Sequence, residues 1–408
     1  MLVLLVLGIT NSAVVVTGNT NHFKFLTRRF EFDYFSWSAT ALIDKFSAIS
    51  MHITDQLHPE QRQAVVSEYL QVTQQIVENE MQITTALSDP ENIVSENEMD
   101  RLFNQAQVTQ NYLNEIQPIA ELIFQNQISE TVRKLGISHS SFSFPPILFK
   151  TTPLPKQMII SPRTQIRQDA SFSLIPEIDI ENITLIEIAI EEAFDVSALV
   201  VPLGGVGTYP SMVTQTSNIV YLLDTAAHEW AHHYLAFFPL GFHYTASPEL
   251  RTINETVASI AGAEISDAVL QLFYPEKIDE ETNDKNFAIA FGEKDATTEP
   301  FDFRKEMYET RKQVDSYLEE GLVELAEEYM ENRRKIFWEN GYQIRRLNQA
   351  YFAFHGAYSD QPFSAAGVDP VGAAVRALRA KSTTLAEFFQ RIKWISDVQS
   401  LYDAAYSY

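Results

Sequence analysis

Val220-Tyr221-Leu222-Leu223-Asp224-Thr225-Ala226-Ala227-His228-Glu229-Trp230-Ala231-His232-His233-Tyr234-Leu235-Ala236-Phe237-Phe238 is apolar on nearly every face of a helix, which predicts a central, buried element. Pro239 and Gly241 predict its end. Burying His228, Glu229, His232 and His233 among Trp230, Leu235, Phe237 and Phe238 is costly unless those groups are paired or hold a cation. His228 and His232 stand four apart, so they lie on one face one turn apart and both imidazoles can reach a single ion. Glu229 sits beside them, within reach of a water on that ion. The competing reading is a pair of core histidines satisfied by ordinary hydrogen bonds.

A metal site of this kind takes a third protein ligand, and the next helix offers one. Ser247 is a good N-cap with Pro248 at the first helical position, and the apolar pattern runs to about Tyr274. His232 lies six residues before Phe238 and Glu255 seven after Pro248, each about 10 Å from the connecting loop. Packed antiparallel, the two come level. On its own Glu255 would read as a surface glutamate; the histidines make it the candidate ligand.

Upstream, Val65, Tyr69, Val72 and Ile76 recur at steps of four and three from Pro59, predicting a helix that Asp89 and Pro90 stop. A second begins near Asn97 with Met99, Leu102, Phe103, Ala106, Leu113 and Ile116 inward. Pro118 should kink it and Gly136 can supply its left-handed end. Six prolines between Pro145 and Pro176 punctuate short apolar runs, Ile147 to Phe149 and Met158 to Ile160, that read as strands. Asn182 to Phe194 reads as a helix and Ala198 to Leu203 as a buried strand. Gly204, Gly205 and Gly207 lack the Lys-Ser/Thr of a P-loop and read as a turn leading to a sheet edge. Asn283 to Phe303 is loop-like. The remainder reads as helical through Arg334, Ile344 to Tyr358, Val371 to Ala380 and Leu385 to Tyr402.

The composition bounds the function classes. In 408 residues, 54 acidic side chains face 30 basic ones, a formal charge of -24 that repels phosphate backbones, so nucleic-acid binding is not expected. With no cysteine, disulfides, thiolate metal sites and cysteine nucleophiles are excluded. Residues 1 to 23 carry no charge, and Lys24, Arg28 and Arg29 follow them. The apolar runs in this segment fall short of the about 20 residues of a membrane span. A membrane anchor or uncleaved signal within residues 1–20, or a buried pair of strands, is expected of it, with membrane association favoured.

The HExxH pattern followed by Asn254-Glu255 on the next helix resembles the gluzincins, the clan of thermolysin-like peptidases and aminopeptidases. The likeness is strong over about residues 220 to 270. Arg311 to Phe337, then Leu347-Asn348-Gln349-Ala350 and Tyr358, is similar to the C-terminal part of a group of bacterial predicted aminopeptidases with an Asn-Asn-Ala motif, Gln349 standing where Asn is usual. The resemblance implies one zinc ion on His228, His232 and Glu255, Glu229 as general base, and hydrolysis of a peptide or protein substrate, an aminopeptidase activity among the options. Tyr358 is the favoured oxyanion donor, with His355, Tyr351 and Tyr244 behind it. Many gluzincins carry an acidic residue four after the glutamate ligand to orient a histidine; here Ser259 stands there, leaving the orienting partner open. The implied fold is α+β and mainly α: an apolar segment over 1–22, a helical region over 23–136, a small mixed sheet within 137–219, and a helical zincin-like catalytic region over 220–408. The alternative in another class is a non-catalytic, peptidase-like subunit or scaffold of a membrane-associated assembly; hydrolysis of a non-peptide amide is a further enzymatic one.

Overall fold

Asn218 starts the central helix by accepting the Tyr221 backbone N–H at 3.0 Å, and the helix runs Ile219–Leu235 with twelve of its residues buried. In the computed structural model, which describes residues 20–88, 95–138, 143–277, 301–355 and 370–406, this histidine helix lies in the main hydrophobic core. It ends three residues earlier than the sequence suggests. The ring of Pro239 restricts the residue before it, holding Phe238 extended (φ -131°, ψ 163°), and opens a separate single turn over Pro239–Phe242.

The glutamate helix spans Pro248–Phe273, with Ser247 accepting the Leu250 N–H at 3.2 Å as its cap. Asp224 lies against Gly262, and His232 against Asn254, so eight residues forward on one helix match eight backward on the other: the pair is antiparallel. Although long and apolar enough to cross a membrane, the glutamate helix is an internal element of this core, burying fourteen residues that include Ile253, Val257, Ala261 and Ile265.

Two long helices, Pro59–Ser88 and Glu96–Lys134, pack against each other and complete that core through Tyr69, Val72, Leu113, Phe124 and Ile128. Pro118 lies inside the second, which is assigned continuously to Lys134, and Gly136 takes the left-handed conformation (φ 75°) just beyond it. Phe103, read as inward, is 50% exposed. At that end the helices meet through amides and hydroxyls, Asn79 with Thr109 and Gln105, and Phe103 sits about 200° around the helix from Gln105.

The strands form two three-stranded sheets where one small mixed sheet was expected, while the described residues are mainly α, at 68% helix. β1 (Phe149–Thr151), β2 (Lys156–Pro162), β3 (Ala170–Leu174), β4 (Val196–Val201), β5 (Gly205–Val206) and β6 (Ser211–Val213) divide between them. One sheet is antiparallel in the order β3-β2-β4; the other is mixed, in the order β1-β6-β5, with β1 parallel and β5 antiparallel to β6. β5, in the glycine-rich stretch, is therefore a sheet edge, as its sequence suggests. Between β3 and β4 the chain crosses as the helix Ile180–Phe194.

Two predicted C-terminal helices are interrupted. The run expected through Arg334 breaks into Phe303–Glu319 and Val323–Glu339 around Gly321 (φ 77°). Leu385 to Tyr402 becomes Leu385–Ile392 and Val398–Tyr406, because the Asp397 carboxylate accepts the Ser400 N–H at 2.8 Å and starts a new helix. The helix near Ile344 is Gln349–His355, its start fixed by Asn348 accepting the Tyr351 N–H at 3.0 Å. The loop reading over Asn283 to Phe303 falls largely outside the described residues, as do residues 1–19.

Candidate metal centre

His228 and His232 face each other with their Nε2 atoms 3.1 Å apart. Glu255 Oε2 lies 3.5 Å from the first and 3.4 Å from the second. These three atoms converge from two antiparallel helices, and all lie within 4.8 Å of one another. Both carboxylate oxygens are accounted for differently. Oε1 accepts a hydrogen bond from the Tyr244 hydroxyl, whereas Oε2 is buried with no hydrogen-bond partner. An orphaned buried carboxylate oxygen beside two imidazole nitrogens is costly unless a cation satisfies it. The set of two nitrogens and one oxygen suits zinc, and the residues present fit the ion.

The electrostatics agree. Burial works against a charged His232, yet the Glu255 carboxylate outweighs it and lifts the ring to about 9. Burial likewise opposes ionisation of Glu255, but His232 and His228 overcome it and hold the carboxyl well below its ordinary value. The cluster favours positive charge at the point where the three atoms meet.

Asn254 supplies the orienting contact that the sequence left open. Its Oδ1 accepts from His232 Nδ1 at 2.7 Å; an amide oxygen only accepts, so Nδ1 holds its proton, and when the ring gives up one proton to bind an ion it is Nε2 that is bared. Asn254 stands directly before the ligand Glu255, whereas the position where the resemblance would put an orienting acid, 259, holds a serine. For His228 the neighbouring carboxylate is Asp224, one turn earlier on the same helix: burial raises its pKa, and His228 opposes the rise.

Glu229 is buried beside the histidines, and burial raises its pKa against their pull. The turn after β4 lies directly over it. A Cβ added at Gly205 would stand 2.4 Å from Glu229 Oε1 and 2.8 Å from the Thr225 methyl, and one at Gly207 would stand 3.3 Å from Glu229 Oε2. A side chain at Gly205 would have to push aside the Glu229 carboxylate and the Thr225 methyl, so glycine lets the turn sit closely on them. His233 secures the turn from the helix side, its Nε2–H donating to the Gly207 carbonyl at 3.3 Å while Tyr209 packs edge-on at 5.3 Å. Burial pushes His233 down to about 4, so the ring is neutral and not a competing cation. None of these roles is legible in glycine spacing alone.

The oxyanion-donor candidates separate. Tyr358 lies outside the described residues. Tyr351 and His355 sit together on the Gln349–His355 helix, rings 4.3 Å apart, packed against β2 and β4. Burial raises Tyr351 and pushes His355 down to about 4. Tyr244, from the segment joining the two metal helices, is the candidate brought to the cluster: its hydroxyl bonds Glu255 and its ring stands 6.0 Å from that of His232. A separate cleft of about 400 Å³ near the start of β4 is lined by Arg163 and Arg346, already paired with Asp195, Glu327, Glu187 and Glu191.

No protein-family model, no curated protein and no solved structure matches this chain. What the structure shows is a buried group of His228, His232 and Glu255 that can hold one metal ion.

Proposed function

We propose that this protein is a zinc-dependent peptidase of gluzincin type. The carrying observation is the convergence of His228, His232 and Glu255 with the buried carboxylate of Glu229 alongside, beneath a sheet edge. A zinc ion held by His228, His232 and Glu255 would polarise the scissile carbonyl as a Lewis acid and lower the pKa of water, so that a carboxylate can deprotonate it. The chain's own residues do the rest. Glu229, its pKa raised by burial, accepts the proton of the attacking water and delivers it to the leaving amine. Tyr244 donates its one O–H to Glu255 Oε1 and steadies that ligand; turned away from it, the same hydroxyl would be a donor for the charge that develops on the carbonyl oxygen. Asn254 keeps His232 in the tautomer a metal needs. Among the described residues no strand pairs with the outer edge of β5, and the Gly205 backbone there, next to Glu229, is the support for an extended peptide substrate over other amides.

The test is metal content and cleavage measured on one preparation. About one zinc per chain is expected, with hydrolysis of a peptide panel that a chelator abolishes and zinc restores. Stoichiometric zinc with no cleavage of any peptide would leave a metal-holding, non-catalytic protein.

A further inference from the structure

Asp224 lies one turn before His228 on the histidine helix, half-buried, and among the described residues its carboxylate makes no hydrogen bond or ion pair. The charged groups that act on it are His228 and, from the glutamate helix, Asp267, a second carboxylate. It stands directly against Gly262, where an added Cβ would lie 2.6 Å from its Oδ1 and 2.8 Å from its backbone oxygen. At about 100° per residue, Asp224, His228, Tyr221, His232, Thr225 and Glu229 follow one another around less than half of the helix. Asp224, at one end of this arc, faces the glutamate helix. Thr225 and Glu229, at the other, lie under the glycine turn, where Gly204 also meets the Tyr221 hydroxyl. The two histidines lie between these walls.

The nearby charges decide what can settle beside it. Glu264 is taken by Arg379 through both oxygens. Arg251, over the Tyr244 ring at 5.9 Å, belongs to the other end of the glutamate helix, about 16 Å from Gly262 along its axis. Against the two positive charges of a zinc ion stand Glu229, Glu255, Asp224 and Asp267, a balance that stays negative even when Glu229 takes up a proton. A carboxylate drawn out of bulk water without a partner is costly, and a cation with N–H donors relieves that cost. Asp224 is about 6 Å along the helix from His228, which puts it within reach of an amine on the substrate residue whose carbonyl meets the ion.

We propose that Asp224 selects substrates carrying a protonated amine beside the scissile bond, its carboxylate pairing with an ammonium group on the residue that presents its carbonyl to the metal. The inference rests on the peptidase reading above and names the specificity of the same site. Two sources supply that chemistry, the free α-ammonium of a peptide's first residue and the side chain of a lysine. The first confines cleavage to chain ends and the second directs it to basic positions.

The test is calorimetric binding to the full, zinc-loaded chain carrying Glu229→Gln, so that no ligand is turned over. Three ligands are compared: leucinamide, with a free α-ammonium; N-acetyl-lysinamide, with a side-chain ammonium; and N-acetyl-leucinamide, with neither. At least one of the two cationic ligands should bind about tenfold or more tighter than the neutral one, and which of them does so names the source. Adding Asp224→Asn, which removes the charge and keeps the shape against Gly262, should close that gap while zinc content and the affinity for N-acetyl-leucinamide stay unchanged. Equal affinities for all three ligands before Asp224 is changed would overturn the proposal without recourse to that variant. A gap that persists in Asp224→Asn would overturn it too, assigning the amine to the ion or to another acid. Loss of zinc in Asp224→Asn would make Asp224 a support of His228 instead. Because binding is read without turnover, a wild-type protein that holds zinc and cleaves no peptide would end the peptidase reading while the amine-binding result stands on its own.

Discussion

His232 Nδ1 donates to Asn254 Oδ1 at 2.7 Å, so the residue immediately before one candidate ligand fixes the tautomer of another. Asn254→Ala should leave the ligand set intact but weaken zinc affinity about 10- to 100-fold, measured by competition with a chromophoric chelator. Asn254→Asp, which keeps an acceptor, should recover much of the loss. Unchanged affinity in Asn254→Ala would remove Asn254 from the site.

Glu255 and Glu264 lie on the same helix but on different partners. Glu264 is occupied by a two-pronged ion pair with Arg379 at 2.7 and 2.8 Å. Glu255→Ala should abolish stoichiometric zinc retention; Glu264→Ala should retain zinc and lose about 1 kcal/mol of stability at most. Equal zinc retention by the two variants would show that the wrong carboxylate had been assigned.

Glu229 is the residue whose assigned work is proton transfer. Glu229→Gln preserves size and keeps the two histidines and Glu255, so zinc content should hold. The rate of peptide hydrolysis should fall about 10² to 10⁴-fold, with little change in unfolding temperature. Full activity in this variant would refute the general-base role.

Gly205→Ala places a methyl within 2.4 Å of Glu229 Oε1, the free end of a side chain that can move. The expected outcome is displacement of the Glu229 carboxylate: kcat falls by at least about tenfold while zinc remains bound, because no ligand atom is touched. Single-turnover rates and metal analysis on the same preparation check it. Normal turnover would mean that the glycine turn is not closely seated on Glu229.

The two metal helices were legible because both start and stop signals are local. Ser247 and Pro248 begin one helix and Pro239 limits the other, though its effect reaches upstream through Phe238 and shortens the helix to Leu235. The stripe of Tyr69, Val72 and Ile76 was legible for the same reason, since a helix repeats its faces at fixed spacing. Phe103 failed because periodicity identifies a face without saying whether a neighbour covers it. The division of the strands into two sheets was not legible either: pairing depends on which short strands, β1 and β6 among them, are brought together from distant parts of the chain.

By itself the sequence determined the helical spacing that puts His228 and His232 on one face and the loop length that brings Glu255 level with them. These are properties of backbone geometry over a few turns. Only the tertiary structure decided that Asn254 orients His232, that Tyr244 reaches Glu255, and that the Gly204–Gly207 turn closes over Glu229. Each of those is a contact between side chain or backbone atoms of different elements, set by how far two packed surfaces approach and rotate, and a change of one residue in register would remove it.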